Sequence, residues 1–180
     1  MAVDSSIELR ASRVKLLLMD CDGVLTDGRI WILENGEDQK SFNTRDGLGL
    51  DLLHRAGLRS GIISGRRSTA VERRAKALGV AFVRQGCEDK VQAFEEILVD
   101  AGVANSEVAF MGDDLNDVPL LRRSEFAVAV ADAVAEAKEC AHFITQARGG
   151  DGAVRETIEL ILRSQNRWQD VVNDYLTAST

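Results

Sequence analysis

Cysteine is scarce in this chain and odd in number, with Cys21, Cys87 and Cys140 in 180 residues. Their spacing makes neither a zinc site nor a redox pair, and an odd count does not suit a disulfide framework. Free thiols in a reducing cytoplasm are the expectation. No apolar run approaches the ~20 residues of a membrane span. Residues 1–13 lack the apolar segment of a secretory signal and are expected to form a flexible, frayed N-terminus. An excess of positive charge is missing too. The formal net charge of −7 argues against a nucleic-acid or anionic-membrane partner, which would select a basic face. Internal repeats and low-complexity segments are absent.

What is present suits one globular domain. The length supports a sizeable core, and 45% hydrophobic residues are enough to fill it. Val14–Met19 is a leucine-rich run that reads as a strand buried on both faces. Further strands are expected over Leu58–Ile63, Val80–Val83, Val108–Met111, Phe126–Val130 and His142–Thr145. Helical periodicity fills the intervals: Leu48–Ala56 ahead of Gly57, a candidate capping box Thr69–Glu72, Glu88–Ala101, and Val154–Leu162 after a flexible Gly149–Gly152 loop. The alternation predicts an α/β fold, a Rossmann-like doubly wound parallel sheet. The domain should span residues 14–164, with a helical tail over 165–180. Arg29–Leu33 and Asp38–Phe42 flank Asn35-Gly36, a strong hairpin signal. The first arm is apolar on both faces, which suggests contact beyond its own sheet.

The polar residues gather at the predicted strand ends. The first strand stops at Asp20-Cys21-Asp22-Gly23, the second at Ser64, and the fourth at Gly112-Asp113-Asp114, with Asp117 beyond; Lys90 opens a helix. In a parallel sheet these ends converge where such folds hold ligands. Clustered carboxylates are costly unless neutralised, and a hard divalent cation such as magnesium suits oxygen ligands. Acids, a hydroxyl and an ammonium make a phosphoryl-transfer set. Asp20 would be the nucleophile and Asp22 the general acid and base. Ser64 and Lys90 would bind phosphoryl oxygens. Asp20, Asp22 and Asp113 are the metal candidates, with Asp114 and Asp117 supporting that shell. Each feature alone is more often a turn or a solvated helix residue; the combination is what carries the reading.

The set Asp20-Cys21-Asp22-Gly23-Val24, Ser64, Lys90 and Gly112-Asp113-Asp114-x-x-Asp117 resembles the four motifs of the haloacid dehalogenase superfamily. Asp22–Gly28, Phe42–Gly47, Ser64-Gly65-Arg66 and Gly149–Glu156 are similar to the 3-deoxy-D-manno-octulosonate 8-phosphate phosphatases. The resemblance runs from about Val14 to Ser164. It implies a Mg2+-dependent phosphatase of an acidic-sugar phosphate in lipopolysaccharide precursor synthesis, working as a tetramer. Many relatives carry an aliphatic residue at the position of Cys21 and threonine at that of Ser64. A phosphatase of 2-keto-3-deoxynonulosonate 9-phosphate is the nearest alternative. A receiver-type signalling domain is more distant, because the third strand runs into Arg84-Gln85-Gly86 with no aspartate.

No interval between the motifs is long enough for a cap domain over the site. The expectation is therefore a homo-oligomer, most simply a tetramer, in which hairpins pack on neighbours and a neighbour closes each site. Gly65, Arg66 and Arg45 are candidates for binding substrate, since arginine grips a carboxylate bidentately. Arg155 is a further candidate within the closing segment.

Overall fold

The computed structural model describes residues 4–34 and 38–177. The hairpin tip, Asn35–Glu37, lies outside the described residues. Strand β1 (Leu16–Met19) is fully buried. Each of its apolar side chains gains roughly 1.5–3 kcal/mol from burial, so this strand anchors the sheet. The short strands β2 (Trp31–Ile32) and β3 (Asp38–Gln39) pair antiparallel as a separate ribbon, the predicted hairpin with shorter arms. Strands β4 (Arg59–Ser64), β5 (Phe82–Gln85), β6 (Val108–Gly112), β7 (Phe126–Ala129) and β8 (Phe143–Ile144) complete the main sheet in the order β5-β4-β1-β6-β7-β8. Every pairing in that sheet is parallel. The chain builds outward from β1 through β4 and β5, then crosses back to β6. The strand order therefore reverses between β1 and β6, where open α/β sheets form a ligand crevice.

The helices are α1 (Ser5–Ser12), α2 (Thr44–Arg55), α3 (Thr69–Ala77), α4 (Lys90–Ala101), α5 (Val118–Leu121), α6 (Ala135–Cys140), α7 (Ala153–Ser164) and α8 (Trp168–Thr177). Where the sequence alone suggests a frayed end, Ser5–Ser12 form a helix. Ala11 is buried, and the Arg10 guanidinium donates to the Glu125 carbonyl at 3.0 Å. Ser68, not Thr69, holds the N-cap position of α3. Its hydroxyl bonds elsewhere, so the expected capping box does not form. The Gly149–Gly152 segment is held rather than loose. Gly150 N–H donates to the Val24 carbonyl at 2.9 Å, and Gly149 N–H to the Asp132 carboxylate at 2.9 Å.

Two contacts outside the strands fix the frame of the crevice. Asp46, fully buried in α2, accepts from the backbone N–H groups of Gly152 (3.2 Å) and Arg155 (2.8 Å) and so caps α7. Phe94 of α4 meets Phe110 of β6 edge to face, with ring centroids 6.5 Å apart. That contact holds the helix bearing Lys90 against the strand leading to Asp113.

Candidate active site

The backbone of β1 continues its ladder one step past the strand, with Asp20 N–H donating to the Met111 carbonyl at 3.0 Å. The chain then makes a wide turn over Cys21–Leu25, closed by Thr26 N–H to the Cys21 carbonyl at 3.0 Å. Gly23 takes a φ of 95° there, and a Cβ at this position would run into the Asp113 carboxylate. Glycine thus satisfies both the turn and the close approach of the two loops. Cys21 lies buried under the turn. Burial and the Asp22 and Asp20 charges push its thiol up to about 12, which keeps it protonated and inert.

Lys90 is the hub. Its ammonium, with the side chain 6% exposed, lies 3.0 Å from Asp20 Oδ1 and 2.8 Å from Asp117 Oδ1. Asp89 starts the helix just before it, accepting from Val91 N–H (2.8 Å) and Gln92 N–H (3.1 Å). Asp117 Oδ2 accepts from the N–H groups of Asp113 (3.0 Å) and Asp114 (3.4 Å). Both Asp117 oxygens are therefore engaged, Oδ1 by Lys90 and Oδ2 by the loop after β6. Ser64 is buried at the end of β4, and its hydroxyl accepts from Arg66 N–H at 3.2 Å.

The carboxylates of Asp20, Asp113 and Asp117 offer oxygens within 4.8 Å of one another. Burial first, then Asp117, pushes Asp20 up, and Lys90 only partly offsets this. Burial, then the charges of Asp117, Asp20 and Asp114, push Asp113 up to about 8. Asp113 Oδ1 is buried with no hydrogen-bond partner. Excess negative charge around an orphaned carboxylate oxygen is what a hard divalent cation satisfies. The residues therefore fit magnesium. Asp20 and Asp113 are the available ligands, because the Asp117 oxygens are already bonded.

The sequence-derived set is mostly gathered here. Asp20 and Lys90 meet directly, Asp113 offers an oxygen within 4.8 Å of Asp20, and Ser64 and Gly65 lie at the end of the neighbouring strand. Asp22 is next to them, but its carboxylate is not among the clustered acids. It bonds the Lys40 ammonium and lies 3.9 Å from Arg66 Nε. Arg66, Asp38 and Gln85 line an adjoining cavity of about 630 Å³. Arg45 sits exposed in the first turn of α2. Arg155 is not brought to the site within this chain, because its guanidinium bonds Glu159 at 2.8 Å and stacks 5.1 Å over Trp168 of α8. Lys40 has no counterpart in the sequence reading. A lysine within a short polar arm looks solvated, and only the fold reveals its burial.

A parallel Rossmann-like sheet with these acids, hydroxyl and ammonium at its switch point, and no inserted cap, defines a haloacid dehalogenase-like hydrolase. Residues 80–156 match the haloacid dehalogenase-like hydrolase family. The chain is 42% identical over 158 residues to the 3-deoxy-D-manno-octulosonate 8-phosphate phosphatase of Yersinia pestis, covering 88% of this chain and 84% of that protein. The enzyme of the same name from Moraxella catarrhalis, solved with magnesium, phosphate and KDO, superposes with a TM-score of 0.93 at 38% identity. That match covers 96% of this chain and 99% of the other. A cobalt-bound enzyme from Haemophilus influenzae gives 0.88 at 35% identity, over 93% and 99% of the two chains. The chain belongs to the 3-deoxy-D-manno-octulosonate 8-phosphate phosphatase family of these hydrolases.

Proposed function

We propose that this protein is a magnesium-dependent phosphatase that hydrolyses 3-deoxy-D-manno-octulosonate 8-phosphate to the free sugar acid and phosphate, a step in supplying the lipopolysaccharide precursor. The observation that carries the reading is the Asp20–Lys90–Asp117 cluster beside the unpartnered Asp113 oxygen, in a chain of this family. The relatives favour this substrate over 2-keto-3-deoxynonulosonate 9-phosphate. A receiver domain is disfavoured, since β5 ends at Gln85.

Asp20 attacks phosphorus, the bond from phosphorus to the sugar oxygen breaks, and Asp22 gives its proton to the departing alkoxide. Water then attacks the aspartyl phosphate while Asp22 takes the water's proton, which releases phosphate and restores Asp20. Asp20 and Asp113, with Asp22 beside them, would hold magnesium, which would supply charge neutralisation for the attack of a carboxylate on a phosphate. Lys90 and Ser64 bind phosphoryl oxygens, with Gly65 leaving room beside them. Arg66, at the mouth of the adjoining cavity, and Arg45 select for the sugar's carboxylate.

The hairpin, where Trp31 is 63% and Ile32 77% exposed, supports assembly into a homotetramer. Such an apolar patch is characteristic of an interface. A neighbouring subunit packed there would also close the uncapped site. Arg155 would reach a neighbour's substrate only by leaving Glu159 and Trp168. The three free thiols suit the cytoplasm. A phosphate-release screen over phosphorylated keto-deoxy acids and neutral sugar phosphates tests the reading. The octulosonate 8-phosphate should give the highest kcat/KM, and preference for a neutral sugar phosphate would overturn it.

A further inference from the structure

The Lys40 side chain is 1% exposed, a burial that lysine tolerates only when its charge is paired. Its ammonium bonds Asp22 Oδ1 and lies 3.5 Å from Asp38 Oδ2. Asp38 Oδ1 accepts from the Ser68 hydroxyl at 2.9 Å, and Ser68 N–H donates to Gln85 Oε1 at 2.8 Å. The Ser68 hydroxyl sits at the N-cap of α3 yet serves this chain of contacts instead of its own helix. A continuous polar line thus runs from the turn after β1, through the end of β3, to the start of α3 and the end of β5.

We propose that Lys40 is the positioning residue for the proton-transfer carboxylate, fastening Asp22 Oδ1 to the stem of the hairpin so that Oδ2 is the oxygen that exchanges the proton. The inference rests on the acid–base role proposed above for Asp22. Swinging Asp22 away would leave a buried ammonium with Asp38 as its one acidic neighbour among the described residues, so the pairing opposes rotation of the carboxylate. Orientation of this kind matters, because a misplacement of about 1 Å costs on the order of 10²-fold in rate. The line also makes the placement of Asp22 depend on the docking of the hairpin.

Leaving groups separate this role from a general structural one. The sugar alkoxide needs a proton as it departs, whereas p-nitrophenolate does not. The full-length protein with magnesium is assayed as wild type, Lys40→Met and Asp22→Asn, by steady-state turnover of the octulosonate 8-phosphate and by the pre-steady-state release of p-nitrophenolate from p-nitrophenyl phosphate. Lys40→Met should lower kcat on the sugar phosphate by about tenfold or more with KM little changed, while p-nitrophenolate release holds within about twofold. Asp22→Asn should show the same split, larger. Equal losses on both substrates, or no loss, in Lys40→Met while Asp22→Asn shows the split would overturn the inference alone. Absence of the split in Asp22→Asn would overturn the acid–base reading and this inference with it. Should Lys40→Met fail to fold by circular dichroism, Asp38→Asn releases the far anchor of the ammonium without changing shape. It is read by the same split, smaller in size, and its absence there counts against the inference.

Discussion

Replacing Lys90 with methionine keeps most of the volume of the side chain and removes the charge that Asp20 and Asp117 share. Asp117 is fully buried, with its Oδ1 2.8 Å from the ammonium. Breaking a buried pair from one side commonly costs about 3–5 kcal/mol. The loss has a ceiling, because an orphaned carboxylate can take up a proton instead. From an ordinary pKa of about 3.9, and at about 1.36 kcal/mol per unit, that ceiling is roughly 4 kcal/mol at pH 7 and roughly 1.5 kcal/mol at pH 5. Lys90→Met should therefore destabilise the metal-free protein by about 3–4 kcal/mol at pH 7, and by less than half of that at pH 5. Urea unfolding in chelator at the two pH values, referred to wild type under the same conditions, measures the difference. A loss that is the same at both pH values would refute the reasoning, as would one below about 1 kcal/mol at pH 7, where a surface ion pair would fall.

Two further outcomes follow from the site and the hairpin. Because the carboxyl of Asp113 is pushed from 3.8 up to about 8 by burial and neighbouring acids, the metal-free native state holds a proton that the unfolded chain has lost between those values. Its stability should rise as pH falls from about 8 towards 4, and Asp113→Asn or saturating magnesium should flatten that slope; urea midpoints across the range check the sign. Trp31→Asp should dissociate the assembly and lower turnover together, read by sedimentation beside phosphate release, and a fully active monomer would contradict the shared site.

The parts of this molecule that were legible in the sequence are those whose signal is local. The Leu16–Met19 run can only be a doubly buried strand, and acids directly after it have few places to go but the crevice. Strand boundaries drifted by a residue or two: Leu58 precedes β4, where it is buried against the core, and Val80-Ala81 precede β5, with Ala81 exposed and its N–H bonded to the Ser60 carbonyl at 3.0 Å. Helix α1 has no sustained apolar stripe. Leu9 points outward, and Ala11 is its one buried residue. The helix forms because it packs against α7 and β7, which periodicity does not see. The glycine segment before α7 looks mobile by composition, yet it is pressed against the turn bearing Gly23. Lys40 and Asp46 were invisible for a related reason. Each is a charged residue whose burial is set by partners far along the chain, Asp22 for one and the start of α7 for the other.

The central claim is that Asp20 carries the phosphoryl group during turnover. Quenching the enzyme in acid while it hydrolyses the octulosonate 8-phosphate, then reducing with borohydride, converts an aspartyl phosphate to homoserine, which peptide mass spectrometry locates. The account predicts homoserine at position 20, and none in protein quenched without substrate. Homoserine at another aspartate, or none anywhere during steady turnover under conditions that trap an added acyl-phosphate standard, would contradict it.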